Sequence, residues 1–147
     1  MLSLLFIFNL VVMNDITVAI GVILNKEKNG VYITKRHKDK HLGDLWEFPG
    51  GKVEANESIN AALVRELYEE VGIHVKASTF FQKIYFTYPD KSVALYFYII
   101  DEFEGMPKAK EAQKIAEVSF QDLSKFAMPK ANETIVEDLL KMRLKIC

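Results

Sequence analysis

Three glutamates, Glu66, Glu69 and Glu70, fall within the segment RELYEEVG. On an α-helix, neighbours at i+3 and i+4 share a face, so these carboxylates cover an arc of about 100°. The segment reads as the last turns of a helix that Gly72 stops. Negative charge is unwelcome there. A like-charged i,i+4 pair costs roughly 0.2–0.5 kcal/mol. An exposed carboxylate opposing the helix dipole costs roughly 0.3–1 kcal/mol more. A solvated acidic face is common, but an untroubled helix would carry Lys or Arg in its final turn. A cation held against the face removes both penalties. Hard oxygen ligands suit Mg²⁺ or Mn²⁺, and a few carboxylates with retained waters suit Mg²⁺ shared with substrate phosphates. Ala62, one turn before Glu66, is small and is expected to leave room over that face.

The residues before the helix extend the pattern. Gly50-Gly51-Lys52 sits in the preceding loop. Glycine lets a backbone carbonyl approach a metal closely, and Lys52 can meet a phosphate as a point charge. Glu57 and Arg65 are expected to pair and brace the loop against the helix. The plain alternatives are a simple turn for the glycines and a solvated surface lysine.

The elements that must position these groups follow from periodicity. Ile59, Leu63, Leu67 and Val71 form one apolar stripe, which predicts a helix from Ser58 to Val71. Ile16–Leu24 is β-branched and apolar, a buried strand, and Val31–Arg36 alternates as its hairpin partner. His37–Asp44 is a charged loop. Leu45–Phe48 is short and extended, and a long loop runs from Pro49 to the helix. Phe80–Pro89 and Val93–Asp101 are strands joined by a tight turn at Asp90. A polar loop over Glu104–Lys114 leads to a short strand, Ile115–Phe120, and a helical turn. Asn132–Lys145 closes the chain as an amphipathic helix. With no repeats, no low-complexity tract and no linker, the chain reads as one α+β domain with a mixed sheet between helices.

Composition narrows the function classes. The 147 residues suit one domain. Lysine plus arginine is 19 against 20 aspartate plus glutamate, a net charge of -1. That is not the basic balance of a protein that grips a nucleic-acid polymer. The only cysteine is Cys147, so no intrachain disulfide or Cys-based metal cluster exists, which fits a reducing cytoplasm. The first residues, MLSLLFIFNLVVM, are apolar and uncharged. They lack the basic region and small-residue cleavage site of a secretory signal, and they are too short to span a membrane. Three readings stand: an extra strand, a weak membrane anchor, or residues upstream of a natural start at Met13. The last is favoured. Residues 1–12 are thus an apolar extension and 13–147 the folded domain.

Gly51, five residues, Glu57, seven residues, then Arg65-Glu66-Leu67-Tyr68-Glu69-Glu70-Val71-Gly72-Ile73 matches the Nudix box without departure. The chain resembles a Nudix hydrolase. ITKRHKDKH, LWEFPGGKVE and FAMPKANETIV also resemble the MutT-type branch, so the likeness runs from about Ile16 to Leu140.

The resemblance implies an α/β/α sandwich, a Nudix fold. It implies Mg²⁺-dependent hydrolysis of oxidised purine nucleoside triphosphates, chiefly 8-oxo-dGTP, to the monophosphate and pyrophosphate. That activity sanitises the nucleotide pool and prevents mutation. Position by position, it implies metal ligation by Glu66, Glu69, Glu70 and the Gly51 carbonyl. Lys52 would contact phosphate. Glu111 would complete the metal site or help activate water. Arg36, Phe48 and Asn132 would line the purine pocket, with His41 at its side. Two departures stand out: the loop around Glu111 lacks glycines, and Trp46 is larger than the pattern expects.

Each pocket residue also has a plainer reading. Asn132 could simply cap the last helix, Phe48 could be core, Arg36 a surface charge and His41 a loop histidine. Tyr85, Phe86, Tyr88, Tyr96, Phe97 and Tyr98 are expected mostly to face core or sheet and are given no site role. For the chemistry, Glu66 is the first candidate for general base and Glu111 the second, with Glu70 as the strongest metal ligand. Mn²⁺ is a substitute for Mg²⁺. The expected partner is a small nucleotide, with no nucleic-acid polymer, and no membrane unless residues 1–12 are real and exposed. A cytoplasmic monomer is expected. The alternatives are a Nudix pyrophosphatase for CTP or a broad range of nucleoside triphosphates, and a non-catalytic Nudix-fold binding module. The module is disfavoured because such modules usually lose a box glutamate and all are present here.

Overall fold

The computed structural model describes residues 14–40, 43–112 and 114–146. The apolar extension 1–12, His41 and Cys147 lie outside those residues. Among the described residues, strands form one sheet: β1 (Asn14–Leu24), β2 (Gly30–Lys35), β3 (Trp46–Glu47), β4 (Gly50–Lys52), β5 (His74–Thr87), β6 (Lys91–Glu104) and β7 (Lys114–Ser119). Helix α1 spans Ile59–Val71 and α2 spans Lys130–Ile146, with a 3-10 turn over Phe120–Lys125.

The β-branched run of β1 makes it the central strand. It pairs in parallel with β6 along one edge. Its other edge is shared. Val18, Ala19 and Ile20 pair antiparallel with β4, whereas Ile23 and Leu24 pair antiparallel with β2. The two partners therefore part along β1, and the fork between them is where the site forms.

The sheet is mixed and lies between helices, as expected. Alternation along β1 sends Ala19 and Ile23 to one face, where Leu63, Leu67 and Val71 of α1 pack. Ile20 and Val22 point the other way, towards Ile135, Val136 and Leu139 of α2. Ala62 is fully buried in the α1 layer. It is part of the core and does not open the carboxylate face, which corrects the sequence reading.

Three other expectations change. The stretch after Pro49 is not one loop, because Gly50–Lys52 is a strand. Paired glycines signal a turn, but here they allow close approach: a Cβ on Gly50 would run into the Ala19 carbonyl. The closing helix starts at Lys130, so Asn132 lies inside its first turn and is not its cap. Tyr85 is exposed because β5 is an edge strand with residues alternating towards solvent, and Tyr88 is exposed in the turn that follows β5.

Candidate active site

Helix α1 is locally well specified. Ser58 caps its start, its side chain accepting from the Ala61 N–H at 3.0 Å. Gly72 ends it in the left-handed region, at φ 75°. The last turn carries no basic residue of its own. Cations come instead from the Gly105–Ala112 loop, where Lys110 Nζ donates to the Tyr68 carbonyl at 3.4 Å. The backbone N–H groups of Lys108 and Lys110 donate to the carbonyls of Val71 and Glu70 at 3.0 and 3.1 Å. The loop satisfies the carbonyls that a helix end leaves unpaired.

Glu70 occupies the fork. One carboxyl oxygen accepts from Thr34 Oγ1 of β2 at 3.3 Å. The other accepts from the Gly50 N–H of β4 at 3.1 Å. One carboxylate thus bridges the two strands that part along β1. Burial pushes its pKa up to about 7, only partly opposed by the Gly50 N–H, with nearby Glu47 adding to the rise.

Glu66 and Glu69 are held differently. Arg65 donates to Glu66 at 2.8 Å and to Glu69 at 3.3 Å. It also grips Glu57 through two bonds, at 2.8 and 2.9 Å, and reaches the Lys52 carbonyl at 3.1 Å. The expected brace between loop and helix is present. The Glu66 carboxyl also lies over Gly51, so close that any Cβ there would overlap it. Helical spacing puts the three glutamates on one side of α1, but their carboxyl groups do not meet at a point. Among the described residues, no group of three or more acidic, His or Cys side chains is arranged to hold an ion. Arg65 takes up two of the three.

A cleft of about 230 Å³ opens beside the fork. It is lined by Glu47, Glu66, Glu70 and Glu111 and by Lys35, Arg36 and Lys40, with His37 among them. Arg36 pairs with Glu47 at 2.9 Å, and its Nε is buried with no hydrogen-bond partner. Burial raises the Glu47 pKa and Arg36 opposes the rise. The Glu111 carbonyl is tied to the His37 ring, 3.1 Å from Nε2.

The structure therefore brings Arg36, Glu66, Glu70 and Glu111 into the lining of one cleft, with Gly51 against Glu66. Glu69 and Lys52 are not in that lining and meet Arg65. Phe48 and Asn132 do not line it. Phe48 is buried in the core, with its ring edge-on to Phe97. Asn132 is buried too, and its Oδ1 accepts from the Phe48 N–H at 3.1 Å. That bond fixes which end of the amide is oxygen and leaves the NH₂ end with donors to spare. Trp46 packs edge-on against Phe126.

Sequence reasoning missed Glu47, Thr34, Lys35, Lys40 and His37. A signal existed for some of them. Thr34 and Arg36 alternate on one strand face, and Glu47 alternates against the inward-facing Trp46 and Phe48. The fork in β1 pairing carries no local signal.

A family model described as NUDIX domain matches residues 15–140. The chain belongs to the Nudix family. It is 38% identical to an 8-oxo-dGTP diphosphatase of Escherichia coli, over 88% of this chain and all of that protein. It is 42% identical to an 8-oxo-dGTP diphosphatase of Buchnera aphidicola from Schizaphis graminum, over 85% of this chain and 93% of that one. A solved structure from work on MutT of Aliivibrio salmonicida and Vibrio cholerae superposes with a TM-score of 0.80 at 37% identity, covering 88% and 99% of the two chains. The expected sandwich and the Nudix resemblance are both borne out.

Nudix hydrolases generally use divalent metals. The residues of this Nudix domain fit one. The donors near the cleft are carboxylate oxygens, which suit a hard cation. Glu70 bears a desolvation cost that a cation would offset, and Gly51 leaves space for the Glu66 carboxyl. Among the described residues, no helix is long and apolar enough to cross a membrane.

Proposed function

We propose that this protein hydrolyses oxidised purine nucleoside triphosphates, chiefly 8-oxo-dGTP, to the monophosphate and pyrophosphate. The observation that carries this reading is one cleft lined by both signs of charge. Glu66, Glu70 and Glu111 share it with Lys35, Arg36 and Lys40. A polyphosphate needs cations, and a metal ion needs carboxylates. The likeness to 8-oxo-dGTP diphosphatases supports the choice of base.

In this reading Glu66, Glu69, Glu70 and the Gly51 carbonyl hold Mg²⁺, with Mn²⁺ as a substitute. The ion supplies charge neutralisation for the triphosphate and acidifies water. Lys52 would bind phosphate oxygens, and Arg36, which lines the cleft, would face the purine. Glu66 is the general base, oriented by Arg65, and Glu111 stands next in line. Water adds to phosphorus, the bridging P–O bond between the α and β phosphates breaks, and the proton of the water passes to the carboxylate. Asn132 would read the purine from outside the cleft lining, with its amide already oriented by the Phe48 N–H. Oxidation at C8 puts a proton on N7, and an amide with both donor and acceptor capacity senses that change. His41 stays a pocket-side assignment. The protein acts as a monomer in the cytoplasm on a small nucleotide, within a domain over 13–147.

Phosphorus NMR of the products tests the reaction. With Mg²⁺ and 8-oxo-dGTP, the reading requires monophosphate and pyrophosphate in equal amounts and no turnover in excess EDTA. Orthophosphate as the product would contradict it.

A further inference from the structure

We propose that Lys110 and His37 are positioning residues that fix Glu111 at the cleft rim. The inference rests on the reading that Glu111 serves the metal site. Glu111 is exposed, in a loop without regular structure and without the glycines expected there. Such a side chain needs its backbone fixed if it is to act at a set distance.

The fixing is visible on both sides. Lys110, the preceding residue, is joined to α1 twice. Its N–H donates to the Glu70 carbonyl, so the backbone beside Glu111 is bonded to Glu70 itself. Its ammonium donates to the Tyr68 carbonyl and lies 4.6 Å from the centre of the Tyr68 ring, within cation–π range. On the other side, the Glu111 carbonyl meets His37 Nε2. A carbonyl only accepts, so this nitrogen donates. His37 follows Arg36 immediately after β2. Glu111 is therefore strung between the acidic helix and the segment that follows β2. Tyr68 is about half exposed, and the His74 ring lies tilted against it, 4.8 Å between centres. A ring in that place has little core to fill, and its role here is to hold the Lys110 ammonium.

The test has two readouts. The first is amide exchange at Lys108 and Lys110, which reports loop docking without reference to catalysis. Lys110→Met and Tyr68→Leu should each speed exchange at these amides by about tenfold or more, and Lys110→Arg should restore it. Unchanged exchange in Lys110→Met overturns the positioning proposal.

The second readout is turnover of 8-oxo-dGTP with Mg²⁺. Lys110→Met and His37→Ala should each lower kcat about tenfold, below the 10²-fold loss that a 1 Å misplacement can cause. KM should stay within about twofold in Lys110→Met, because Lys110 lies outside the cleft lining. His37→Gln, which keeps a donor, should recover most of the loss. Neither change should matter further in a Glu111→Gln background. An equal further loss there means that they act elsewhere and overturns the proposal. Wild-type kcat in Glu111→Gln alone sinks the reading of Glu111, and the exchange data then show whether the clamp exists without it.

Discussion

Arg65 and Glu57 form a two-point ion pair, Nε to Oε2 at 2.8 Å and Nη2 to Oε1 at 2.9 Å. Only a guanidinium offers two parallel donors to one carboxylate. The same arginine orients Glu66 and Glu69, so one cation organises the loop, the helix and two of the three site glutamates.

The pair sets an acid dependence. Arg65 holds the Glu57 carboxyl near pKa 2, well below its ordinary 4.5. A depressed carboxylate stabilises the fold above pH 4.5, and that contribution is lost as pH falls through about 2. Glu57→Gln should therefore lower Tm at pH 7, with the gap to wild type closing towards pH 2. Thermal melts across this range check it. A constant gap would show that Glu57 acts by packing. Arg65→Lys should retain the fold and lose turnover, because a single ammonium cannot hold three carboxylates.

Glu70 runs the opposite way. Its pKa is raised to about 7, so without divalent metal the folded state binds this proton more tightly than the unfolded state does. Stability then falls as pH rises from about 4.5 to about 7. Glu70→Gln should raise Tm of the metal-free protein at pH 8, by roughly 2–4 °C per kcal/mol recovered. The gain should disappear below pH 4.5. The variant should also lose most turnover and the Tm rise that Mg²⁺ gives the wild type. Melts in EDTA and in Mg²⁺ measure both, and full activity in Glu70→Gln would remove Glu70 from the site.

Gly51→Ala places a methyl group against the Glu66 carboxyl. Glu66 must then move, and a displaced base or ligand costs on the order of 10²-fold in rate. We expect kcat to fall by that order while the circular dichroism spectrum is retained. Wild-type kcat would mean that Glu66 is free to relocate.

Asn132→Ala leaves the buried Phe48 N–H without its acceptor. An unsatisfied buried donor costs about 1–3 kcal/mol. Denaturant melts should show that loss, and Asn132→Asp, which keeps an acceptor, should lose less. Equal stability of Asn132→Ala and wild type would mean that water replaces the amide.

The residues of α1 were legible because helical spacing, a cap and a glycine stop are local. So was the brace between Glu57 and Arg65, from complementary charge. The division of β1 between β2 and β4 was not, since pairing over long separations leaves no local mark. Glu70 was accordingly read as a metal ligand alone, whereas its half-buried carboxyl also bridges the fork. Arg65 was read as a structural partner of Glu57 alone, because its reach to Glu66 and Glu69 depends on side-chain rotation. The helix-terminal charge problem was visible, but its resident answer, Lys110 on Tyr68, joins residues distant in sequence. Asn132 looked like a cap because asparagine favours that place; Pro129 ahead of it lets the helix start sooner, and its carbonyl receives the Glu133 N–H at 3.1 Å.

The central claim is substrate choice, and kcat/KM across a panel of nucleotides with Mg²⁺ tests it most directly. The panel is 8-oxo-dGTP, dGTP, 8-oxo-GTP, CTP and a dinucleoside polyphosphate, with wild type and Asn132→Ala measured side by side. We predict that the wild type prefers 8-oxo-dGTP over dGTP by on the order of 10²-fold or more, as a hydrogen-bonding site can discriminate, and that Asn132→Ala flattens the preference. A flat wild-type profile, or a preference for CTP, would contradict the account.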